Sequence, residues 1–234
     1  MSDWRTPEEL LAIGFSRSPV VMANEFHDGV RRCVRTREIG RRLLPVAHEC
    51  GVRHLAMEAL WQPWAETANR ERRLPPADAG YLSQPEMRAL VGDALALGWT
   101  LVAYEAEDAR SPFLPGGGVD YELVNAREQD QARNLAATLP ETPLLVWCGN
   151  SHLAKEPSED LTPMGLLFRE LTGIDHFALD QTWTIDDRDN LVEELRADLE
   201  PLGGTAGMLV EELPERFSAA GVDALLFSVD NALE

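Results

Sequence analysis

Short apolar runs alternate with longer amphipathic stretches along the chain. Apolar runs of about four to eight residues are typical of buried strands, whereas apolar positions that recur every three or four residues are typical of helices. We predict strands at 19–23, 53–60, 100–104, 143–148, 176–179 and 223–229, and helices at 35–50, 85–97, 122–139 and 163–172. This alternation is typical of βαβ units and predicts an α/β fold, a mostly parallel sheet with helices on both faces.

Glycine residues mark the ends of several predicted helices. Gly51 and Gly98 each follow one directly, at the position where a helix commonly turns into a left-handed residue. The strand at 53–60 is predicted to lead into a tryptophan-containing loop, and the acidic segment 186–199 is predicted to be a helix or loop. The chain has no internal repeat and no long linker, so residues 1–234 are predicted to form one domain.

Polar side chains stand at the carboxyl ends of the first four predicted strands. They are Glu25 and His27 after the first strand, Glu58 in the second, Glu105 and Glu107 after the third, and Asn150 and His152 after the fourth. Because parallel strands end at one edge of a sheet, and open α/β sheets bind ligands there, we expect these groups to converge. Glu58 carries the most weight, since a carboxylate within an apolar strand is costly unless it is paired.

This combination of side chains suits hydrolysis in two alternative ways. The neutral imidazole of His27 or His152 can take a proton from water near pH 7 and so act as the general base. Glu25 and Glu58 would orient that ring. Alternatively, His27, Glu58 and His152 are candidate ligands for a divalent metal that lowers the pKa of bound water. An arginine in such a site would stabilise an oxyanion or bind a substrate carboxylate. The residues leave both forms open, so the cofactor is predicted to be none or a divalent metal.

Other histidines and tryptophans are interpreted as structural or as pocket wall. His48 lies within a predicted helix, His54 begins a strand, and His176 has no partner in view. Trp61 is predicted to line the pocket and to contact substrate together with Glu105 and Asn150.

The charge of the chain limits its partners. It contains 40 Asp and Glu against 21 Lys and Arg, a formal net charge of −19. Clustered positive charge supplies most non-specific affinity for nucleic acid, so nucleic acid and anionic membranes are not expected partners. Three cysteines without CxxC spacing and a polar, acidic N-terminus predict reduced thiols, no signal peptide and a cytoplasmic protein.

Four motifs resemble those of a known superfamily in the same order. They are N-E-F-H at 24–27, A-M-E at 56–58, the helix N-A-R-E-Q-D-Q-A-R-N-L at 125–135, and L-V-W-C-G-N-S-H-L at 145–153. The superfamily groups the erythromycin esterase-like proteins, the ChaN-like haem-associated lipoproteins and the TraB/Tiki proteins. Met164-Gly165 and the closing D-A-L-L-F at 223–227 also resemble it, so the resemblance spans nearly the whole chain.

The resemblance implies a parallel α/β core and a site at the carboxyl edge of its strands. In the esterase branch, the residues matching Glu25, His27, Glu58, Arg127 and His152 activate water against a macrolactone ester. The Tiki branch implies a metal-dependent peptidase, and the ChaN branch implies haem or iron handling. Arg127 enters the site through this resemblance alone.

Three departures argue against macrolide hydrolysis itself. Gly149 replaces one histidine of the esterase motif, the spacing is Glu-x-His instead of Glu-x-x-His, and the chain lacks the length for the helical insertion that closes over macrolides. We therefore predict a hydrolase that acts on an ester, lactone or amide of a small molecule or peptide, in a biosynthetic or resistance pathway. The alternatives are a non-catalytic protein that binds haem, metal or a small ligand, and a non-hydrolytic enzyme that performs an elimination or cyclisation on the same scaffold.

Overall fold

A computed structural model describes residues 4–26, 31–76, 80–107, 111–184, 194–214, 217 and 219–229. At 31–33 and at 184 it describes the backbone alone. The strands are β1 (Val20–Glu25), β2 (His54–Met57), β3 (Thr100–Ala103), β4 (Leu144–Gly149), β5 (Phe177–Thr184), β6 (Thr205–Leu209) and β7 (Ala224–Ser228). The helices are α1 (Pro7–Arg17), α2 (Arg31–Glu49), α3 (Gln62–Glu71), α4 (Pro85–Ala96), α5 (Tyr121–Ala137), α6 (Met164–Thr172) and α7 (Arg196–Leu199).

The described strands form one seven-stranded sheet in the order β3-β2-β4-β1-β5-β7-β6. Strands β1 to β5 and β7 pair in parallel, and β6 pairs antiparallel to β7 at one edge. The predicted α/β fold with a mostly parallel sheet is therefore confirmed.

Alternate residues of the central strands face two different helical layers. On one face, Val21, Ala23 and Trp147 belong to the apolar cluster that contains the buried side chains of α1 to α4. On the other face, Met22 and Val146 pack with the buried side chains of α5 and α6. This period of two is the expected geometry of a strand that is covered on both sides.

The connections leave the sheet in opposite directions at its centre. Strands β1 and β2 lead into helices on the α2 face, whereas β3 and β4 lead into α5 and α6 on the other face. Strand β4 lies between β1 and β2, so the loops at their carboxyl ends diverge and open a crevice. Such a switch point is where open α/β sheets bind ligands.

Three elements differ from the predicted pattern. Residues 61–64 do not form a loop: Trp61 precedes α3, whose small side chains Ala65 and Ala68 are buried. Helix α1 and edge strand β6 are elements that the apolar pattern does not predict. Of the segment 186–199, residues 196–199 are helical, and 186–193 lie outside the described residues.

Within the described part of the chain, no helix combines the length and the apolar character needed to cross a bilayer.

Candidate active site

Glu58 lies directly after β2 and connects two neighbouring strand ends. Its Oε2 accepts a 2.6 Å hydrogen bond from the Gly149 backbone N at the end of β4. Its Oε1 accepts a 2.7 Å bond from Arg127 Nη2 on α5. The side chain is 6% exposed, so this carboxylate is buried and paired, as a charge at the end of an apolar strand must be.

Arg127 is held in place by Glu105, which follows β3. Arg127 Nε donates to Glu105 Oε1 over 2.9 Å, and Nη2 donates to Oε2 over 2.6 Å. Three further donors reach the same carboxylate: Ala59 N, Ala106 N and Gln131 Nε2, at 3.0, 2.9 and 3.0 Å. A carboxylate offers about four lone-pair sites, so this geometry makes Glu105 a support for Arg127 and leaves it little capacity to bind substrate.

Arg127 stays positively charged although it is partly buried. Burial by itself lowers the pKa of Arg127, but the hydrogen bonds and charges of Glu105 and Glu58 outweigh it and raise the pKa above its ordinary value. The guanidinium is therefore a permanent cation between two carboxylates.

His152 belongs to the turn that follows β4 and lies between two carboxylates. Its Nδ1 forms an ion pair with Glu128 Oε1, and its Nε2 lies 3.4 Å from Glu58 Oε1. Glu128 is fully buried on α5, and its Oε2 accepts a 2.6 Å hydrogen bond from the Met164 backbone N at the start of α6. The positive end of that helix dipole favours the negative charge of Glu128.

The carboxylates around His152 keep its ring protonated. Burial by itself lowers the pKa of His152, but the charges of Glu58 and Glu128 outweigh burial and raise the pKa from 6.5 to about 10. At neutral pH the ring is an imidazolium that carries a proton on each nitrogen. His152 is therefore suited to be an acid in the resting protein, which argues against its predicted use as a resting general base.

This raised pKa predicts how stability depends on pH. The folded state binds the His152 proton more tightly than the unfolded chain does, so the stabilisation is complete below pH 6.5 and is lost as pH rises towards 10. Over that window, we expect the unfolding free energy of wild type to fall by at most about 5 kcal/mol more than that of His152→Gln. Urea unfolding at a series of pH values measures the difference. Parallel curves for the two proteins would contradict the assignment.

Glu25 is paired on the opposite face of the sheet. Its carboxylate receives two hydrogen bonds from Arg37 on α2, at 2.7 and 2.8 Å, and one from Trp147 Nε1 at 3.0 Å. Arg37 also pairs with Gln84. The structure thus places Glu25 in a buried ion pair on the α2 face, whereas Arg127 approaches the strand ends from α5 on the other face.

A left-handed residue shapes the turn before His152. Asn150 has a φ of 38°, a conformation that asparagine tolerates better than most residues. Its backbone N donates to the Glu25 carbonyl oxygen over 2.8 Å, and its own carbonyl oxygen accepts a 2.7 Å hydrogen bond from Asn24 Nδ2. The end of β1 therefore fixes the turn that carries His152.

A cleft of about 460 Å³ opens over this cluster. Its charged side chains are Glu58, Arg127, Glu128 and His152. Its other lining residues are Tyr81, Pro112, Phe113, Val124, Asn150, Ser151 and Leu161. The cleft is therefore charged at its base and largely apolar along its walls.

The remaining predicted site residues lie away from this cleft or outside the described residues. His27 lies outside the described residues. Trp61 is 45% exposed and lines a different cavity, of about 310 Å³, with Glu105 and Glu107 at the end of β3. Of the predicted residues, the structure therefore brings together Glu58, Glu105, Arg127 and His152, with Asn150 at the edge of the cleft.

The three histidines interpreted as structural form contacts that fit a structural role. His48 Nδ1 accepts a 3.0 Å hydrogen bond from Trp99 Nε1, and His54 bonds to a threonine hydroxyl over 3.0 Å. His176 Nε2 lies 2.8 Å from the Leu153 carbonyl oxygen, and burial lowers the pKa of His176 to about 4.

The sequence interpretation missed Glu128 and Gln131. Both are fully buried, and with Ala132 and Leu135 they form the i, i+3, i+4, i+7 stripe of α5 that faces the sheet. Two polar residues within an otherwise apolar helical stripe are the signal that could have identified them.

The described donor set does not match a metal site. Among the residues with described positions, no group of three or more His, Cys, Asp or Glu is arranged to hold a metal ion. Glu58 Oε1 already faces two cations, Arg127 and the protonated ring of His152.

Comparisons with known proteins give matches of structure alone. No protein-family model and no curated protein sequence matches this chain. A structure of bacterial protein toxins is similar with a TM-score of 0.54 and 16% identity, over 76% of this chain and 37% of that chain. The RRSP effector domain of a MARTX toxin from Vibrio vulnificus CMCP6 is similar with a TM-score of 0.54 and 16% identity, over 75% and 35%.

A third structure matches this chain over nearly its whole length. ChaN of Campylobacter jejuni, which is described with cofacial haem binding, has a TM-score of 0.57 and 9% identity, over 95% of this chain and 92% of its own. This chain spans about a third of the two toxin structures. At these identities the likeness is one of fold, and it agrees with the ChaN-like part of the resemblance at that level.

Proposed function

We propose that this protein is a hydrolase of an ester, lactone or amide in a small molecule or peptide. The observation that supports it is the position of His152, which is held between Glu58 and Glu128 at the base of a cleft on the carboxyl edge of the sheet. Titratable groups with strongly shifted pKa values in a cleft are typical of active sites.

In this proposal His152 is the general acid. Glu128 fixes the ring through Nδ1, which turns Nε2 towards Glu58 and the cleft. The 3.4 Å between Nε2 and Glu58 Oε1 is longer than the roughly 2.7–2.9 Å of a strong charged hydrogen bond. The Nε2 N–H is therefore not engaged in a short hydrogen bond to Glu58, and it can donate to the leaving oxygen or nitrogen of a substrate in the cleft.

Arg127 would stabilise the charge that develops on the substrate. Its Nε and Nη2 are occupied by Glu105 and Glu58, while Nη1 makes no hydrogen bond to any described residue. Arg127 lines the cleft and its side chain is 29% exposed. A fixed N–H directed at the carbonyl oxygen of a bound ester or amide would act as an oxyanion donor.

The base in this scheme is assigned from the sequence. Both carboxylate oxygens of Glu58 already accept hydrogen bonds, from Arg127 and from the Gly149 backbone N, so Glu58 is engaged in holding these groups. We therefore assign proton removal from water to His27, which follows β1 by two residues. Water adds to the carbonyl carbon as its proton passes to His27, and the C–O or C–N bond breaks as His152 protonates the leaving group. Proton exchange with solvent then restores both histidines.

The experiment is a hydrolysis assay with His152→Gln and a matched control. We expect this variant to lose about 10²- to 10⁴-fold in kcat/KM on any substrate that wild type hydrolyses in a panel of p-nitrophenyl esters, lactones and fluorogenic peptides. His54→Gln, at the far end of β2, should keep wild-type turnover. His27→Ala tests the assigned base in the same assay. Wild-type turnover by a folded His152→Gln protein would overturn the proposal.

A ligand-binding role is the alternative that the sequence resemblance supplies, and two measurements separate it from catalysis. Haem titration would produce a visible absorption band if the protein binds haem. Elemental analysis of the purified protein would detect a resident metal. A tight haem complex together with an inert panel would favour the binding role.

A further inference from the structure

A second cavity shares the Asn150–Ser151 turn with the cleft. Its volume is about 350 Å³, and Asn150 and Ser151 line both spaces. Its other lining residues are Asn24, Phe26, Leu153, Ala154, Asp180, Thr182, Ala219, Ala220 and Val222. Asp180 is the only charged side chain among these lining residues.

Asp180 is held rigidly by neutral donors. Its Oδ1 accepts hydrogen bonds from Asn24 Nδ2 at 2.8 Å and from the backbone N and the hydroxyl of Thr182, at 3.0 and 2.7 Å. Its Oδ2 accepts one from Trp183 Nε1 at 3.1 Å. An irregularity in the pairing of β5 with β7, between Asp180 and Trp183, gives this segment its shape.

The hydrogen-bond partners of Asp180 among the described residues are all neutral. Within the described residues no Lys, Arg or His forms an ion pair with it, whereas Glu25, Glu58, Glu105 and Glu128 each face a cationic side chain. Oδ2 receives a single hydrogen bond, so it retains acceptor capacity. The Thr182 hydroxyl gives its proton to Asp180 and therefore also presents acceptor lone pairs.

We propose that this second cavity binds a cationic amine. A rigid, unpaired carboxylate beside a second acceptor and small apolar walls favours an ammonium group over an anion or a plain alkyl group. The walls from Ala154, Ala219 and Ala220 leave room for a short carbon chain behind the ammonium.

The position of the cavity also indicates the substrate class, and this part of the inference rests on the proposed function. The two cavities meet at Asn150 and Ser151, immediately before His152. An ester or amide with its carbonyl over this turn would place one arm against the apolar side chains of Tyr81, Phe113 and Leu161 and the other arm beside Asp180. The substrate is thus an ester or amide with an apolar group on one side and a cationic amine on the other.

Trp183 provides a direct spectroscopic test. Its indole N–H donates to Asp180, so an ammonium at Oδ2 should shift the indole nitrogen–proton NMR signal that Trp183→Phe identifies. We expect n-butylammonium chloride to shift this signal saturably in about 150 mM NaCl, a concentration that screens the general attraction of the −19 chain for cations. Equal concentrations of n-butanol and sodium butanoate should leave it in place.

Two variants and one control make the result decisive. Asp180→Asn should weaken n-butylammonium binding by about tenfold or more, because the charge-assisted bond is lost. Ala220→Leu, which enlarges a wall residue of the cavity and keeps Asp180, should weaken it likewise. Glu159→Gln removes the same charge from an exposed site and should bind as wild type does. Equal loss in Glu159→Gln and Asp180→Asn, or no saturable shift in wild type, would overturn the inference.

The amine-binding experiment and the hydrolysis assay can fail independently of each other. If wild type binds n-butylammonium but hydrolyses nothing in the panel, the amine site stands and the proposed hydrolase function fails. If wild type hydrolyses esters but shows no saturable shift, the amine site fails alone. If both hold, amino esters should surpass their N-acetylated counterparts in kcat/KM, and Asp180→Asn should remove that preference.

Discussion

Arg37→Met is expected to lower the free energy of unfolding by about 3–5 kcal/mol. Arg37 and Glu25 are 1% and 2% exposed, and two hydrogen bonds join them. Removing the cation leaves a buried carboxylate that retains the Trp147 indole but loses its charge partner. Removal of one member of a buried ion pair costs this much because water cannot solvate the charge that remains. Urea unfolding at neutral pH measures the loss.

Two further variants separate burial from charge. Arg41→Met removes a cation of the same helix whose partner, Asp93, is 47% exposed, and it should cost less than about 1 kcal/mol. Combining Arg37→Met with Glu25→Leu removes both charges and should recover much of the loss. If Arg37→Met were as mild as Arg41→Met, the Glu25 carboxylate would have another source of stabilisation and the pair would not be central to the fold.

Glu25 also shows the limit of predicting a site from strand ends. The sequence indicates a carboxylate at the carboxyl end of a buried strand, and the structure places it there. The face to which it turns depends on its partner, and α2 contains several arginines at closely spaced positions. Only the rotation of α2 against the sheet determines that Arg37 is the arginine that meets Glu25. Spacing along one strand carries no information about that rotation.

The strands with continuous apolar runs were predictable because burial on both faces demands such runs. Edge strand β6 was not, since Gly207 interrupts its apolar side chains. A Cβ there would lie 2.2 Å from the Leu225 carbonyl oxygen, so this position requires glycine for close packing. Helix α1 had a usable signal: Thr6 and Glu9 form a capping box, with Pro7 at the first helical position.

Within the candidate site, strand-end residues were easier to predict than residues from helices. Glu58 and His152 follow from their places after β2 and β4, whereas Arg127 was found by resemblance. Glu128 was missed because its role depends on α6, whose first backbone N–H lies against it. The stripe of α5 indicates that Glu128 is buried, but its contact with the start of α6 joins residues far apart in sequence, and no local pattern encodes that contact.

Arg127→Met is expected to affect both the fold and the proposed reaction. Glu58 and Glu105 are 6% and 4% exposed, and Arg127 is the cation that bonds to both. Its own side chain is 29% exposed, so water offsets part of the loss, and we expect about 3 kcal/mol in unfolding free energy. Hydrolysis should fall by about 10²-fold or more, because the oxyanion donor is lost. Urea unfolding and the ester and peptide panel measure the two effects.

The conservative variant distinguishes charge from geometry at the same position. Arg127→Lys keeps a cation between Glu58 and Glu105 but cannot reproduce the two parallel bonds to Glu105, so it should recover most of the stability and little of the activity. Arg133→Met, on the exposed side of α5 beside Asp130, is the matched control and should change neither. If Arg127→Lys restored activity in full, the role of Arg127 would be that of a charge alone. Recovery of stability without activity would instead indicate that the guanidinium is placed to contact the substrate, because a cation with a purely structural role would affect stability and activity together.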